Sequence, residues 1–273
     1  MNEKLKSFKY QIIGDDSSPK LIFLHGMMGR GKNWQSIAKN FSKTFQCLTF
    51  DQRGHGESIK PESGYHLENY AQDLKQILDD LAWAEPIYLV GHSMGGRVAL
   101  FFASCYPELV KKLVIVDIGP TSNWDSMLGI LDKMNFVPVP FSSRQEARSF
   151  MDEQFWPRYK SKMLTEFFYS NLVKKEDNYD WVFSPDAIRQ TLEASRLADY
   201  WLEFKDLSMG TLLIRGGESL DLSQEDFDKV VENNVNINGQ VVEGAGHWVH
   251  AEKPLETMGL IRDFFNIDGS SQQ

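Results

Sequence analysis

Ile87-Tyr88-Leu89-Val90-Gly91-His92-Ser93-Met94-Gly95-Gly96-Arg97-Val98-Ala99-Leu100 is the stretch on which the fold turns. Its first four residues form a continuous apolar run, too short for an amphipathic helix and suited to a strand covered on both faces. From Gly95 the pattern is helical and runs to Tyr106, where Pro107 halts it. Between strand and helix lies Gly91-x-Ser93-x-Gly95. A strand that reverses so sharply into a helix strains the backbone at the serine, and the positions two before and two after must lack a Cβ. Such a turn lifts the Ser93 hydroxyl to the carboxyl edge of a sheet, where open α/β folds place ligands. Gly96 allows further close packing, and His92 reads as a packing residue beside the turn.

The same alternation extends outward in both directions. Leu21 to Leu24, Cys47 to Phe50, Leu113 to Val116 and Thr211 to Ile214 are further short apolar runs, and Gln240 to Val242 reads as a last strand. Tyr70, Leu74, Ile77, Leu78 and Leu81 give Tyr70 to Leu81 one apolar helical face. Strands alternating with helices predict an α/β, mostly parallel, doubly wound sheet. From Thr121 to Ser208 the rhythm stops. That stretch holds Trp124, Met127, Met134, Phe136, Phe155, Trp156, Phe167, Phe168, Trp181, Tyr200 and Trp201, with a helical window at Asp186 to Phe204 and no convincing parallel strand. It reads as a helical cap, inserted after the strand that ends at Asp117. The expected division is therefore a core of residues 1–120 and 209–273 and a cap of residues 121–208. Most of the aromatic groups serve the cap's own core, although Met and aromatic side chains also suit an apolar acyl pocket.

Composition narrows the function classes. The 273 residues suffice for a large core without staples, and 42% hydrophobic with 25% charged residues is ordinary globular composition. A formal charge of -9 argues against a nucleic-acid partner, which requires clustered Lys and Arg, and does not favour an anionic membrane surface. Cys47 and Cys105 make no disulfide framework at this length, and both read as small buried apolar groups. The first ten residues are polar and basic, without the apolar stretch of a signal peptide, and no segment approaches the ~20 apolar residues of a membrane span. A cytoplasmic protein is expected, with its oligomeric state open. The tail from Asp268 to Gln273 reads as frayed.

A nucleophilic serine needs a base that collects its proton and later returns it to the leaving group. His247, in Gly244-Ala245-Gly246-His247-Trp248, lies late in the chain, in a loop after the last strand that can reach the Ser93 turn. His250 falls towards the following helix led by Pro254. His55 and His66 lie in polar, surface-like segments, and His25 reads as structural. For the developing oxyanion, one donor is the free backbone N–H of Met94 at the helix start. The second comes from Leu24-His25-Gly26-Met27-Met28-Gly29, where Gly26 lets the N–H of Met27 approach the serine.

Together these stretches resemble the signature blocks of the α/β-hydrolase superfamily. Leu24-His25-Gly26, Asp51-Gln52-Arg53-Gly54-His55-Gly56-Glu57-Ser58, Val90 to Gly96 and Gly244 to Trp248 stand in the family's order and span the whole core. In that family the histidine comes last along the chain, as His247 does. The turn Asp51 to Ser58 is expected to brace the sheet edge by charge and hydrogen bonding. Arg97 is expected to brace structure, or to meet a carboxylate substrate or a buried acid.

The acid departs from the family's commonest pattern. Most relatives carry an aspartate in a Gly-x-x-Asp turn after the penultimate strand; here Gly216-Gly217-Glu218-Ser219 puts a serine in that slot. The residues leave Asp117, at the end of its apolar strand, Asp221 and Glu218 as candidates. Val114 to Pro120, Gly216 to Ser219 and Gly246 to Pro254 are similar to the YbfF-like esterase branch. That resemblance implies Ser93, Asp117 and His247 as the catalytic set, with Ser219 contributing an auxiliary hydroxyl.

The implied activity is that of a carboxylesterase-type serine hydrolase cleaving small to medium acyl esters through an acyl-enzyme on Ser93, and a thioester would fit the same machinery. No metal or organic cofactor is implied, and there is no CxxC or HExxH spacing. The partner is a small-molecule acyl ester. A MenH-like lyase of menaquinone synthesis is the alternative enzyme, because Ser93 to Arg97 also resembles that group's turn. A ligand-binding protein without turnover is the alternative of another class.

Overall fold

The computed structural model describes residues 5–197 and 199–267; the tail expected to fray lies outside them. Its strands are β1 (Tyr10–Ile13), β2 (Lys20–Leu24), β3 (Gln46–Phe50), β4 (Ile87–His92), β5 (Val110–Val116), β6 (Leu172–Lys175), β7 (Asn178–Trp181), β8 (Thr211–Gly216) and β9 (Ile237–Val242). Seven of them form one sheet in the order β1-β3-β2-β4-β5-β8-β9. Every pairing in it is parallel except that of the edge strand β1 with β3. This is the mostly parallel sheet that the apolar runs predicted. The strand order reverses beside β4, the strand that carries Ser93 at its carboxyl end.

The helices are α1 (Gln35–Phe41), α2 (Leu67–Asp80), α3 (Met94–Cys105), α4 (Trp124–Phe136), α5 (Arg144–Phe150), α6 (Trp156–Tyr159), α7 (Lys162–Ser170), α8 (Pro185–Ala194), α9 (Trp201–Asp206), α10 (Gln224–Asn233), α11 (Val249–Glu252) and α12 (Pro254–Phe265). Side chains alternate across the strands, so the sheet builds a core on each face. Ile22, Leu24, Leu89, Leu113 and Ile115 pack with residues of α2 and α3. Leu21, Phe23, Val90, Val114 and Val116 pack on the other face with Ile37, Phe41, Ile261 and Phe265 of α1 and α12. Burying each such Val, Leu, Ile or Phe contributes about 1.5–3 kcal/mol, which fixes the strand ends that carry the site.

Between β5 and β8 the chain forms the helical cap, with an apolar cluster of its own that includes Met134, Phe150, Phe155, Phe168, Trp181 and Phe183. Met28, from the loop after β2, belongs to this cluster and ties the cap to the sheet edge. The cap differs from expectation in two places. It contains an antiparallel hairpin, β6 with β7, turning at Glu176 with φ 51°. The helical window Asp186 to Phe204 is broken after Ala194, because the chain must cross back to the core, where Tyr200 N–H meets the Pro120 carbonyl at 2.8 Å. Cys47 is buried as expected, but Cys105 is exposed: it closes α3 on the solvent side. No helix among the described residues is long and apolar enough to cross a membrane.

Candidate active site

Ser93 sits between β4 and α3 with φ 54° and ψ −123°, a conformation rare for a residue with a Cβ and costing about 1–3 kcal/mol. The turn is held by Ser93 N–H on the Val116 carbonyl and Arg97 N–H on the Ser93 carbonyl, each at 3.0 Å. The flanking glycines are obligatory. A Cβ at Gly91 would lie 2.2 Å from the Gly95 carbonyl oxygen, and one at Gly95 would lie 2.4 Å from that of Leu24. Asp117 (φ 54°) and Met28 (φ 57°) share the left-handed backbone, so strain is concentrated at the ends of three neighbouring strands.

The loop after β9 brings His247 to this edge. The His247 Nε2 lies 2.9 Å from Ser93 Oγ, and its Nδ1 lies 2.8 Å from Asp117 Oδ2. With the Nδ1 proton directed to the carboxylate, Nε2 is left to accept from the serine hydroxyl. Asp117 is fully buried. Its Oδ1 accepts Gly216 N–H at 2.8 Å, and its Oδ2 accepts the Ser219 hydroxyl at 2.5 Å as well as the imidazole. The serine in the usual acid slot thus supports the aspartate of the neighbouring strand. Asp221 Oδ2 stands 3.4 Å from the same Nδ1, farther off, while Glu218 is exposed. His92, read as a packing residue, does more: its Nε2–H donates to the His247 carbonyl at 2.8 Å and so anchors the loop.

Met27 and Met94 line the same cavity as Ser93 and His247. Met94 opens α3, where the first N–H groups have no acceptor within the helix. A hydroxyl in proton-passing reach of an oriented imidazole is able to attack a carbonyl.

Comparison with known proteins agrees with this architecture. The alpha/beta hydrolase fold family matches residues 19–254. The chain belongs to the α/β-hydrolase fold family. It is 32% identical over 257 residues to the mouse (Mus musculus) sn-1-specific diacylglycerol lipase ABHD11, covering 92% of this chain and 82% of that protein. A marine microorganism esterase of known structure superposes with a TM-score of 0.82 at 26% identity, covering 94% of this chain and 99% of that one. An E-2-(acetamidomethylene)succinate hydrolase superposes with a TM-score of 0.83 at 26% identity over 95% of each chain.

The histidines of this α/β-hydrolase divide by charge environment. Burial alone would depress the His247 imidazolium, but the hydrogen bond to Asp117 and the charges of Asp221 and Asp117 outweigh it, leaving its pKa raised above 6.5. Burial pushes His25 down to about 4 and His250 to about 3, and holds His92 well below the ordinary range. His25 is structural as expected, taking Gln52 N–H on Nε2 at 2.9 Å. His55, expected at the surface, is fully buried and lowered to about 3 by burial. Its polar loop folds inward, where Nδ1–H meets the Arg53 carbonyl at 2.8 Å and the ring tilts on His25. His66 is exposed. Asp51 takes Gly31 N–H and Glu57 N–H, and Arg53 pairs with Asp73 at 2.6 Å, which is the bracing expected of that turn.

A cavity of about 490 Å³ lies over Ser93, between the sheet edge and the cap. Met27, Met28, Met127, Ile130, Leu164 and Phe167 make much of its wall apolar. Arg97 also lines it, and its guanidinium meets hydroxyl and carbonyl groups rather than a buried acid. Its Nη1 donates to the Ser122 hydroxyl at 2.6 Å, which in turn donates to the Ser195 carbonyl at 2.7 Å. Arg97 therefore braces the two crossings where the cap leaves and rejoins the core.

Proposed function

We propose that this α/β-hydrolase is a serine carboxylic-ester hydrolase acting on small to medium acyl groups, with thioesters accessible to the same machinery. One observation carries the proposal: the unbroken hydrogen-bond path Ser93 Oγ to His247 to Asp117 at 2.9 and 2.8 Å. In the proposed cycle the hydroxyl attacks the acyl carbonyl as His247 takes its proton, and the N–H groups of Met27 and Met94 receive the oxyanion. His247 then protonates the leaving alcohol, the acyl group stays on Ser93, and water opens the acyl-enzyme by the same steps in reverse order. Asp117, with Ser219 as auxiliary, holds the imidazole tautomer and stabilises the imidazolium. The cap, taken as residues 121–208 over a core of 1–120 and 209–273, supplies the acyl wall. The lipase and esterase names of the relatives favour an ester over other substrates of the family.

The test is hydrolysis of p-nitrophenyl esters from acetate to decanoate. Turnover greatest at short to medium chains, and lowered at least about 10⁴-fold by Ser93→Ala, is expected. No turnover across the series would favour the lyase alternative.

A further inference from the structure

Two carboxylates face one imidazole nitrogen, and the second is gripped by the cap. Asp221 Oδ2 stands 3.4 Å from His247 Nδ1, while its Oδ1 accepts the hydroxyl of Ser126, on α4 of the cap, at 2.7 Å. The loop that carries it is fastened twice more. Asp221 N–H donates to Ser219 Oγ at 3.1 Å, and Asn123 Nδ2–H, at the start of α4, donates to the Leu220 carbonyl at 2.8 Å. A single loop thus touches the buried acid through Ser219, the imidazole through Asp221 and the cap through Leu220 and Asp221. No atom of this set belongs to the attacking hydroxyl or the oxyanion donors.

We propose that Asp221 is a positioning residue for His247, a second carboxylate that stabilises the imidazolium and is set in place by Ser126 of the cap. The proposal rests on the reading of Ser93 and His247 as nucleophile and base. At 2.8 Å Asp117 takes the Nδ1 proton; at 3.4 Å Asp221 adds its charge with little directional bonding. Asp221 is partly open to solvent, which weakens that charge, whereas Asp117 is fully buried. The other charged or titratable groups that act on His247 are Arg97 on α3, which opposes the imidazolium, and His92 and His250, both kept neutral by burial. Asp117 and Asp221 are the groups that favour it. Because Ser126 fixes the Asp221 rotamer, seating of α4 on the core and the proton affinity of the base are coupled through one hydroxyl.

The experiment is the pH profile of kcat/KM on p-nitrophenyl butyrate for the wild type, Asp221→Asn, Ser126→Ala and the double variant, each checked for folding by circular dichroism. Asp221→Asn is expected to move the acid limb to lower pH by about 0.5–1 unit and to lower the plateau rate about 3–10-fold. Ser126→Ala moves the limb the same way by less, and adds nothing in the Asp221→Asn background, since it acts through that carboxylate. An unmoved limb in Asp221→Asn overturns the proposal, as does a Ser126 effect that survives in the double variant. If the wild type hydrolyses no ester, the reading of Ser93 fails instead; if it hydrolyses esters and the limb is unmoved, only the role of Asp221 fails.

Discussion

The end of β5 and the loop after β8 each offer a carboxylate to the same nitrogen, and they differ in how the chain holds it. Asp117 is anchored by the sheet: its N–H meets the Ile214 carbonyl at 2.8 Å, and its oxygens are filled by Gly216 N–H, the Ser219 hydroxyl and the imidazole. Asp221 is anchored by the cap, at the solvent side, through Ser126. A buried carboxylate with a full set of donors is held fixed, and so suits the part of orienting a base. A carboxylate held by a cap side chain and partly open to solvent suits the part of adjusting it. Sequence proximity to the usual acid slot favours Asp221; the donors favour Asp117.

The contrast can be broken most severely at Asp117. Asp117→Asn leaves the volume but presents the wrong partner to Nδ1, and kcat on an active ester is expected to fall about 10³–10⁴-fold. If Asp221→Asn fell by that factor instead, the two sites would exchange roles. Ser219→Ala removes one donor from the buried carboxylate while keeping the other two; a loss of about tenfold in kcat, with KM little changed, is expected. An unchanged kcat would make the serine a spacer.

Activity against pH sharpens the same distinction. In the proposed cycle His247 must be neutral to accept the serine proton, and its pKa is raised above 6.5, so kcat/KM should climb with rising pH through a limb above that value. A limb well below 6.5 would mean that the carboxylates do not govern the imidazole. The raised pKa also contributes stability that is fully present below 6.5 and lost as pH rises through the folded value. A separate effect, on stability rather than rate, concerns the neighbours without a carboxylate contact. His25, His55, His92 and His250 are held neutral, so protons bind the unfolded chain first, and stability should fall as pH drops below 6.5 towards 4. Thermal unfolding midpoints flat from pH 7 to 5 would contradict their burial as neutral rings.

Much of this was legible in the sequence where backbone geometry demands a residue type. Gly91 and Gly95 announce the turn because no other residue fits, and a charge closing the apolar run Leu113 to Val116 marks Asp117 as purposeful. What was not legible depends on contacts between distant segments. The burial of His55 follows from a polar loop packed against His25, which no local pattern encodes. The exposure of Cys105 is a matter of which turn of α3 faces solvent. The hairpin β6 with β7 is four residues a side, with Lys174, Lys175, Asn178 and Asp180 diluting its strand signal. Ser126 carries no signal in the sequence, since a serine on a cap helix gains meaning only from the carboxylate opposite it.

The central claim is chemical, that Ser93 becomes acylated under the control of His247. Mass spectrometry of the protein quenched during ester turnover, or after a fluorophosphonate, tests it most directly. The account predicts a single adduct on the peptide carrying Ser93, absent in His247→Ala. Full turnover with Ser93 unmodified, or an adduct on any other residue, would contradict it.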